Sequence, residues 1–211
     1  DSLGSVQEIF PGDVNWMIAG NGIVHSERET HEVRATEHPL HGLRLWVALP
    51  PDHERIDPDF LHVNKNDLPC IYRPGLMMRL IVGAAYGRSS PVRTFSPMFY
   101  LDVLADKGSQ LEHPARDQEA AICIISGALE ISGKRYEKGD FVLLDSDDTS
   151  FTALENCRYV IIGGKRFERI PHIHWNFVAY ERATIDEARQ RWDAGEFPAI
   201  PGDDEEHIPL P

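Results

Sequence analysis

Apolar positions along this chain fall into short runs broken by Gly, Pro, Asp and Asn. Leu43–Leu49, Met78–Tyr86, Phe99–Ala105, Ala120–Ser132, Asp140–Asp145 and Arg158–Gly164 each read as a strand: brief, aliphatic and bounded by turn residues. Ser132–Lys134, between "ALEI" and "RYEKGDFVLL", reads as a hairpin turn. One stretch has helical period. In "RATIDEARQRWDAG", Thr184 is placed to cap and Glu187, three residues on, to complete a capping box. Ile185, Ala188 and Trp192 then form an apolar stripe, and Gly195 supplies the stop. Pro50–Pro69 reads as a long surface connection with little regular structure. The final "FPAIPGDDEEHIPLP" reads as an extended tail whose apolar residues dock it on the body.

Many short strands and one helix predict an all-β-dominated sandwich or barrel. Two β units are visible, and they share a device. Pro11-Gly12-Asp13-Val14 opens a strand in the first as Lys138-Gly139-Asp140-Phe141 does in the second, which points to a duplicated barrel. The expected division is 1–86, 87–165, and a C-terminal strand, helix and docking tail at 166–211.

Composition narrows the function. A chain of 211 residues with 42% hydrophobic and 26% charged residues is that of a folded globular protein. With 21 Lys and Arg against 34 Asp and Glu, its net charge is −13, which argues against direct binding to nucleic acid and leaves room for a protein partner with a basic face. The three cysteines, Cys70, Cys123 and Cys157, are odd in number and widely spaced, which favours a reducing compartment and buried thiols acting as small apolar side chains. No apolar run approaches the roughly 18 residues of a membrane span.

The candidate chemistry lies in "AGNGIVHSER", Ala19–Arg28. In a strand, residues two apart share a face, so His25 and Glu27 would converge while Ser26 points away. Gly20 and Gly22 would let the backbone turn sharply or approach a ligand closely. A neutral imidazole with a carboxylate suits a divalent transition metal, and mixed N/O sets with open positions are typical of non-haem iron. H-x-E alone is weak, more often a solvated polar strand edge than a ligand pair, and two ligands make a poor site. His172-Ile173-His174 offers a second pair with strand spacing. It is set against a structural or surface role, as are His38 and His41, which follow a Pro-containing turn.

"PGDVNWMIAGNGIVHSE" closely resembles the signature of the pirin family. The likeness continues through "LHGLRLWVALP", "ISGALEISG…GDFVLLD" and "HIHWNFVAYERATIDEARQRWDAGEFP…IPLP" and covers essentially the whole chain. The resemblance implies two tandem cupin barrels, with Fe(II) or another divalent metal held in the first by three His and one Glu. His25 and Glu27 match the later His and the Glu. The other two belong to an H-x-H on an earlier strand, so the resemblance places them upstream of Asp1, makes the first barrel N-terminally incomplete, and leaves the metal weakly held or absent. In the second barrel Pro114 and Arg116 stand at the His-pair positions, Ala120 at the Glu and Phe151 near the last His, which implies a barrel without metal.

Two function classes follow from the resemblance. One is a flavonol 2,3-dioxygenase of the quercetinase type, with a small aromatic substrate, Glu27 as ligand and general base, and Trp16 and Met17 lining the pocket unless they simply pack the core. The other is a metal- or redox-responsive regulator that binds a protein partner without catalysis. A sugar- or auxin-binding cupin without chemistry is a third. The expected location is cytoplasmic, or nuclear in a eukaryote.

Overall fold

The structure is a computed structural model that describes residues 1–211. The strands are β1 (Val14–Ile18), β2 (Asp59–Val63), β3 (Cys70–Arg73), β4 (Leu76–Ala85), β5 (Arg88–Ser89), β6 (Met98–Ala105), β7 (Gln110–Glu112), β8 (Glu119–Ser126), β9 (Ala128–Ile131), β10 (Lys134–Glu137), β11 (Phe141–Leu143), β12 (Ser150–Ala153), β13 (Cys157–Gly164), β14 (His172–His174) and β15 (Phe177–Ala179). A one-turn helix α1 (His31–Arg34) and a longer helix α2 (Arg182–Asp193) complete the regular structure, with a 3-10 turn at Pro51–His53. The all-β expectation with one principal helix holds.

Residues group into two compact units. One comprises 9–16 and 61–167, the other 1–8, 17–60 and 168–211. This grouping cuts the chain differently from the expected 1–86, 87–165 and 166–211: residues 61–86 pack with the second barrel, and the C-terminal segment packs with the N-terminal one.

The unit of residues 61–167 is a double sheet. Its larger sheet runs β11-β8-β13-β6-β4-β3, with β5 on the side of β4, and its smaller sheet runs β10-β9-β12-β7. In β4 the burial alternates along Leu76, Met78 and Leu80, as period-2 patterning requires. These side chains meet Phe99 and Leu101 of β6, Ile122 of β8 and Ile161 of β13 from the larger sheet, and Leu111, Leu129 and Phe151 from the smaller. The β4–β6 register shifts between Leu80 and Val82, and Val82 joins a second cluster with Val63, Leu68 and Val92.

The Gly-Asp device occurs twice, as the sequence suggests. Gly12 and Gly139 have φ of +94° and +95°. Asp13 Oδ2 accepts from the Phe10 amide at 3.1 Å, and Asp140 Oδ2 from the Glu137 amide at 2.8 Å. The aspartate amides return the bond to the Phe10 and Glu137 carbonyls at 2.9 and 3.0 Å. Each corner is followed directly by a strand, β1 or β11.

Four expectations are corrected. Leu43–Leu49 forms no strand; Leu43, Trp46 and Val47 stay exposed because no strand edge pairs with them. Ala120–Ser132 is two strands, divided at Gly127, whose φ is +76°. Pro50–Pro69 carries the 3-10 turn and β2. Helix α2 starts at Arg182 behind Glu181 without a side-chain cap, so the Thr184–Glu187 box does not form; Thr184 Oγ1 instead accepts from Arg55 at 3.2 Å.

Candidate functional site

The chain leaves β1 through a turn that needs glycine. Gly20 has φ +49°, and a Cβ there would lie 2.0 Å from the Ile56 carbonyl oxygen. The next amide, Asn21, donates to that same oxygen at 2.9 Å. Gly22, at φ +126°, closes the turn on the Ala19 carbonyl and leaves no room for a Cβ, which would sit 2.8 Å from the Phe197 ring. Val24 is then tied to Ser2 in both directions: its carbonyl accepts from the Ser2 amide at 2.8 Å, and its amide donates to Ser2 Oγ at 3.0 Å.

Past Val24 the expected strand does not form. Residues 25–29 have no regular structure and make no backbone–backbone hydrogen bond. The same-face argument for His25 and Glu27 therefore loses its strand geometry, and both side chains are exposed. The two remain close enough to sense each other's charge. Crowding around the His25 ring, then the Arg44 guanidinium, holds the imidazole below its ordinary pKa, while Glu27 pulls the other way. The neutral, ligand-competent form of His25 is the one favoured. Glu27 Oε2 accepts from Arg44 Nη2 in an exposed ion pair. Arg44, whose place in "LHGLRLW" gave no hint of this, is the nearest group the sequence reading missed.

Trp16 and Met17 are neighbours on β1, so they point to opposite sides. Trp16 packs against the cluster of Val63, Leu68, Val82 and Val92, the core role weighed against pocket lining. His172 and His174 lie on β14, on one face of the β14–β15 hairpin, and His174 Nε2 is buried without a hydrogen-bond partner. His38 bonds the Thr36 carbonyl through Nδ1 and Glu29 Oε1 through Nε2, each at 2.9 Å, and both contacts raise its pKa. In the second barrel Ala120 and Phe151 are buried among apolar side chains.

The donor types fit a divalent transition metal; the number does not. Nowhere in the chain do three or more His, Cys, Asp or Glu side chains converge. His25 and Glu27 offer two donor atoms, an imidazole nitrogen and a carboxylate oxygen.

Opposite this segment stands the acidic tail. Arg28 makes a two-pronged contact with Asp203, Nε to Oδ2 at 2.9 Å and Nη2 to Oδ1 at 2.7 Å, and its Nη1 donates to Glu206. Ser26 lies beside Asp203 and, after Arg28, helps hold its carboxyl pKa down. "DDEE" in the tail was the available signal; its partner could not be read from spacing.

Comparison with known proteins places these residues in context. The Pirin family matches residues 1–47, and the Pirin C-terminal cupin domain matches residues 100–198. A pirin-like protein of Caulobacter vibrioides is 37% identical across the whole chain, which spans 73% of that relative. Rattus norvegicus Pirin is 31% identical over 89% of the chain, which spans 66% of it. A crystal structure of quercetin 2,3-dioxygenase from Acinetobacter baumannii is 30% identical, with a TM-score of 0.85 over the whole chain and 70% of the solved one.

Proposed function

The chain belongs to the pirin family, and from that premise we propose that it acts as a metal-dependent dioxygenase on flavonols. The observation that carries this reading is the whole-length likeness to a solved quercetin 2,3-dioxygenase, joined to the His25–Glu27 pair within the matched N-terminal segment. His25 and Glu27 would contribute a nitrogen and an oxygen to Fe(II) or another divalent ion. When bound, such an ion supplies Lewis-acid stabilisation of a developing enolate oxygen. Two donors do not complete a coordination shell, so the roles below belong to the side chains themselves.

Glu27 is the general base. Its carboxylate takes the proton of the substrate's 3-hydroxyl, and a positioned proton transfer of this kind contributes about 10²–10⁴ in rate. Arg44 orients that carboxylate through its ion pair. His25, biased toward the neutral form, keeps a lone pair available at the same locus. Met17, half-buried on the face of β1 opposite Trp16, would offer apolar surface to a flat three-ring substrate, as small-molecule sites do.

The test is oxygen uptake with quercetin and added Fe(II), comparing the wild-type chain with Glu27→Gln, each first shown to be folded by circular dichroism. Uptake by the wild type, slowed at least about a hundredfold in Glu27→Gln, is expected. Equal rates would remove Glu27 as the base, and no uptake by the wild type would remove the enzymatic reading.

A further inference from the structure

We propose that the C-terminal tail, residues 196–208, is a clasp that holds the His25–Glu27 segment in its working position. Asp203, Glu206 and Phe197 are then positioning residues for a site they do not themselves form. The inference rests on the functional reading of that pair.

The segment needs such a device. From His25 to Glu29 the backbone bonds to no other backbone group, and no strand ladder fixes where the two side chains point. Arg28, the residue after Glu27, is gripped from the tail. It bonds Asp203 through two parallel contacts and Glu206 through a third, and Ser26 lies close enough to help lower the Asp203 pKa. Two-pronged guanidinium–carboxylate pairs fix direction as well as distance, and they are the exception to the weakness of surface ion pairs. Upstream, the Phe197 ring fills the space where a Gly22 side chain would stand.

The tail is itself anchored, so it can transmit a position. Phe197 stacks on Phe177 with ring centres 6.1 Å apart and an interplanar angle of 20°, beneath the Arg191 guanidinium. His207 stacks on Trp192 of α2 at 4.6 Å, and Trp192 Nε1 donates to the Ile208 carbonyl at 2.9 Å. Asp203 and Glu206 therefore sit between two aromatic fastenings. The arrangement ties helix α2 and hairpin β14–β15 to the turn that presents His25 and Glu27.

The experiment uses the full chain in two arms. In the first, hydrogen exchange of peptides covering residues 22–30 is followed without metal or substrate, for wild type, Asp203→Asn, Asp203→Glu and the equally charge-removing control Asp204→Asn. Asp203→Asn should speed exchange in these peptides about three- to tenfold, with Asp203→Glu close to wild type and Asp204→Asn unchanged. In the second arm, quercetin turnover with Fe(II) should show a fall in kcat with little change in KM for Asp203→Asn, restored in Asp203→Glu. Unaltered exchange in Asp203→Asn overturns the clasp, even if Glu27→Gln abolishes turnover and the enzymatic reading stands. Faster exchange together with unchanged kcat in a turning-over enzyme also overturns it, leaving the tail a purely structural strap. If the wild type shows no turnover, the enzymatic reading falls, and with it the positioning role.

Discussion

Replacing Gly20 by Ala should open the turn that leads into the His25–Glu27 segment, and Gly4→Ala supplies the reference. Both glycines have positive φ, +49° and +87°, so both variants bear the left-handed penalty of about 1–2 kcal/mol, and both gain similarly from a stiffer unfolded chain. These effects cancel in the comparison. What differs is space. A Cβ on Gly4 meets nothing within 4 Å, whereas one on Gly20 lies 2.0 Å from the Ile56 carbonyl oxygen, where contacts under 3.0 Å essentially never occur. The two backbones must part by 3.0 − 2.0 = 1.0 Å or more. The Asn21–Ile56 hydrogen bond, 2.9 Å long, cannot survive a stretch of that size. Its loss alone is about 1 kcal/mol, and any overlap that remains adds to it. Gly20→Ala should therefore be less stable than Gly4→Ala by at least about 1 kcal/mol, or about 0.5 M in urea midpoint for an m-value of about 2 kcal/mol/M. Urea unfolding followed by tryptophan fluorescence measures the difference, and exchange of the Asn21 amide locates it. Coincident midpoints, or an Asn21 amide as protected in Gly20→Ala as in wild type, would refute the reasoning.

Other outcomes follow from the core, the tail and the donor count. Phe151, 1% exposed between the two sheets, should cost about 3–5 kcal/mol as Phe151→Ala, read as a lower denaturation midpoint. Arg28 and Ser26 hold the Asp203 carboxyl down to about 2 from an ordinary 3.8. Because the folded value is the lower one, its stabilising contribution is present above about pH 4 and is lost as pH falls toward 2. A carboxyl-carbon NMR titration of Asp203 should show that window, and a midpoint near 4 would contradict the Arg28 contact. Two donors should retain little metal: iron measured after loading and desalting should be well below one per chain, whereas a full equivalent would reveal donors beyond His25 and Glu27.

Much of the larger unit was legible because its strands satisfy each other. The alternation in Leu76–Ala85 and the aliphatic run in Cys157–Gly164 become ladders since both neighbours of each strand lie in the same stretch of chain. Ser132 and Gly133, at φ of +48° and +75°, make the expected hairpin. Leu43–Leu49 carries an equally strong apolar pattern but finds no edge to bond, and pattern without pairing yields no strand. The helix start was misread because Thr184 satisfies the local capping rule while Arg55, far away in sequence, takes its hydroxyl. For the site, the donor types and flanking glycines were visible, and the turn at Gly20 and Gly22 formed as expected. Arg44 and Asp203 were not visible, since ion pairs across 17 and 175 positions leave no periodic trace.

The twin corners at Phe10–Asp13 and Glu137–Asp140 show how this architecture tolerates divergence. Each needs only two letters, a glycine and an aspartate, while Phe10 and Pro11 before the first corner stand where charged Glu137 and Lys138 stand before the second, and Val14 where the larger Phe141 does. Drift can thus rewrite everything around such a joint and leave the bend intact.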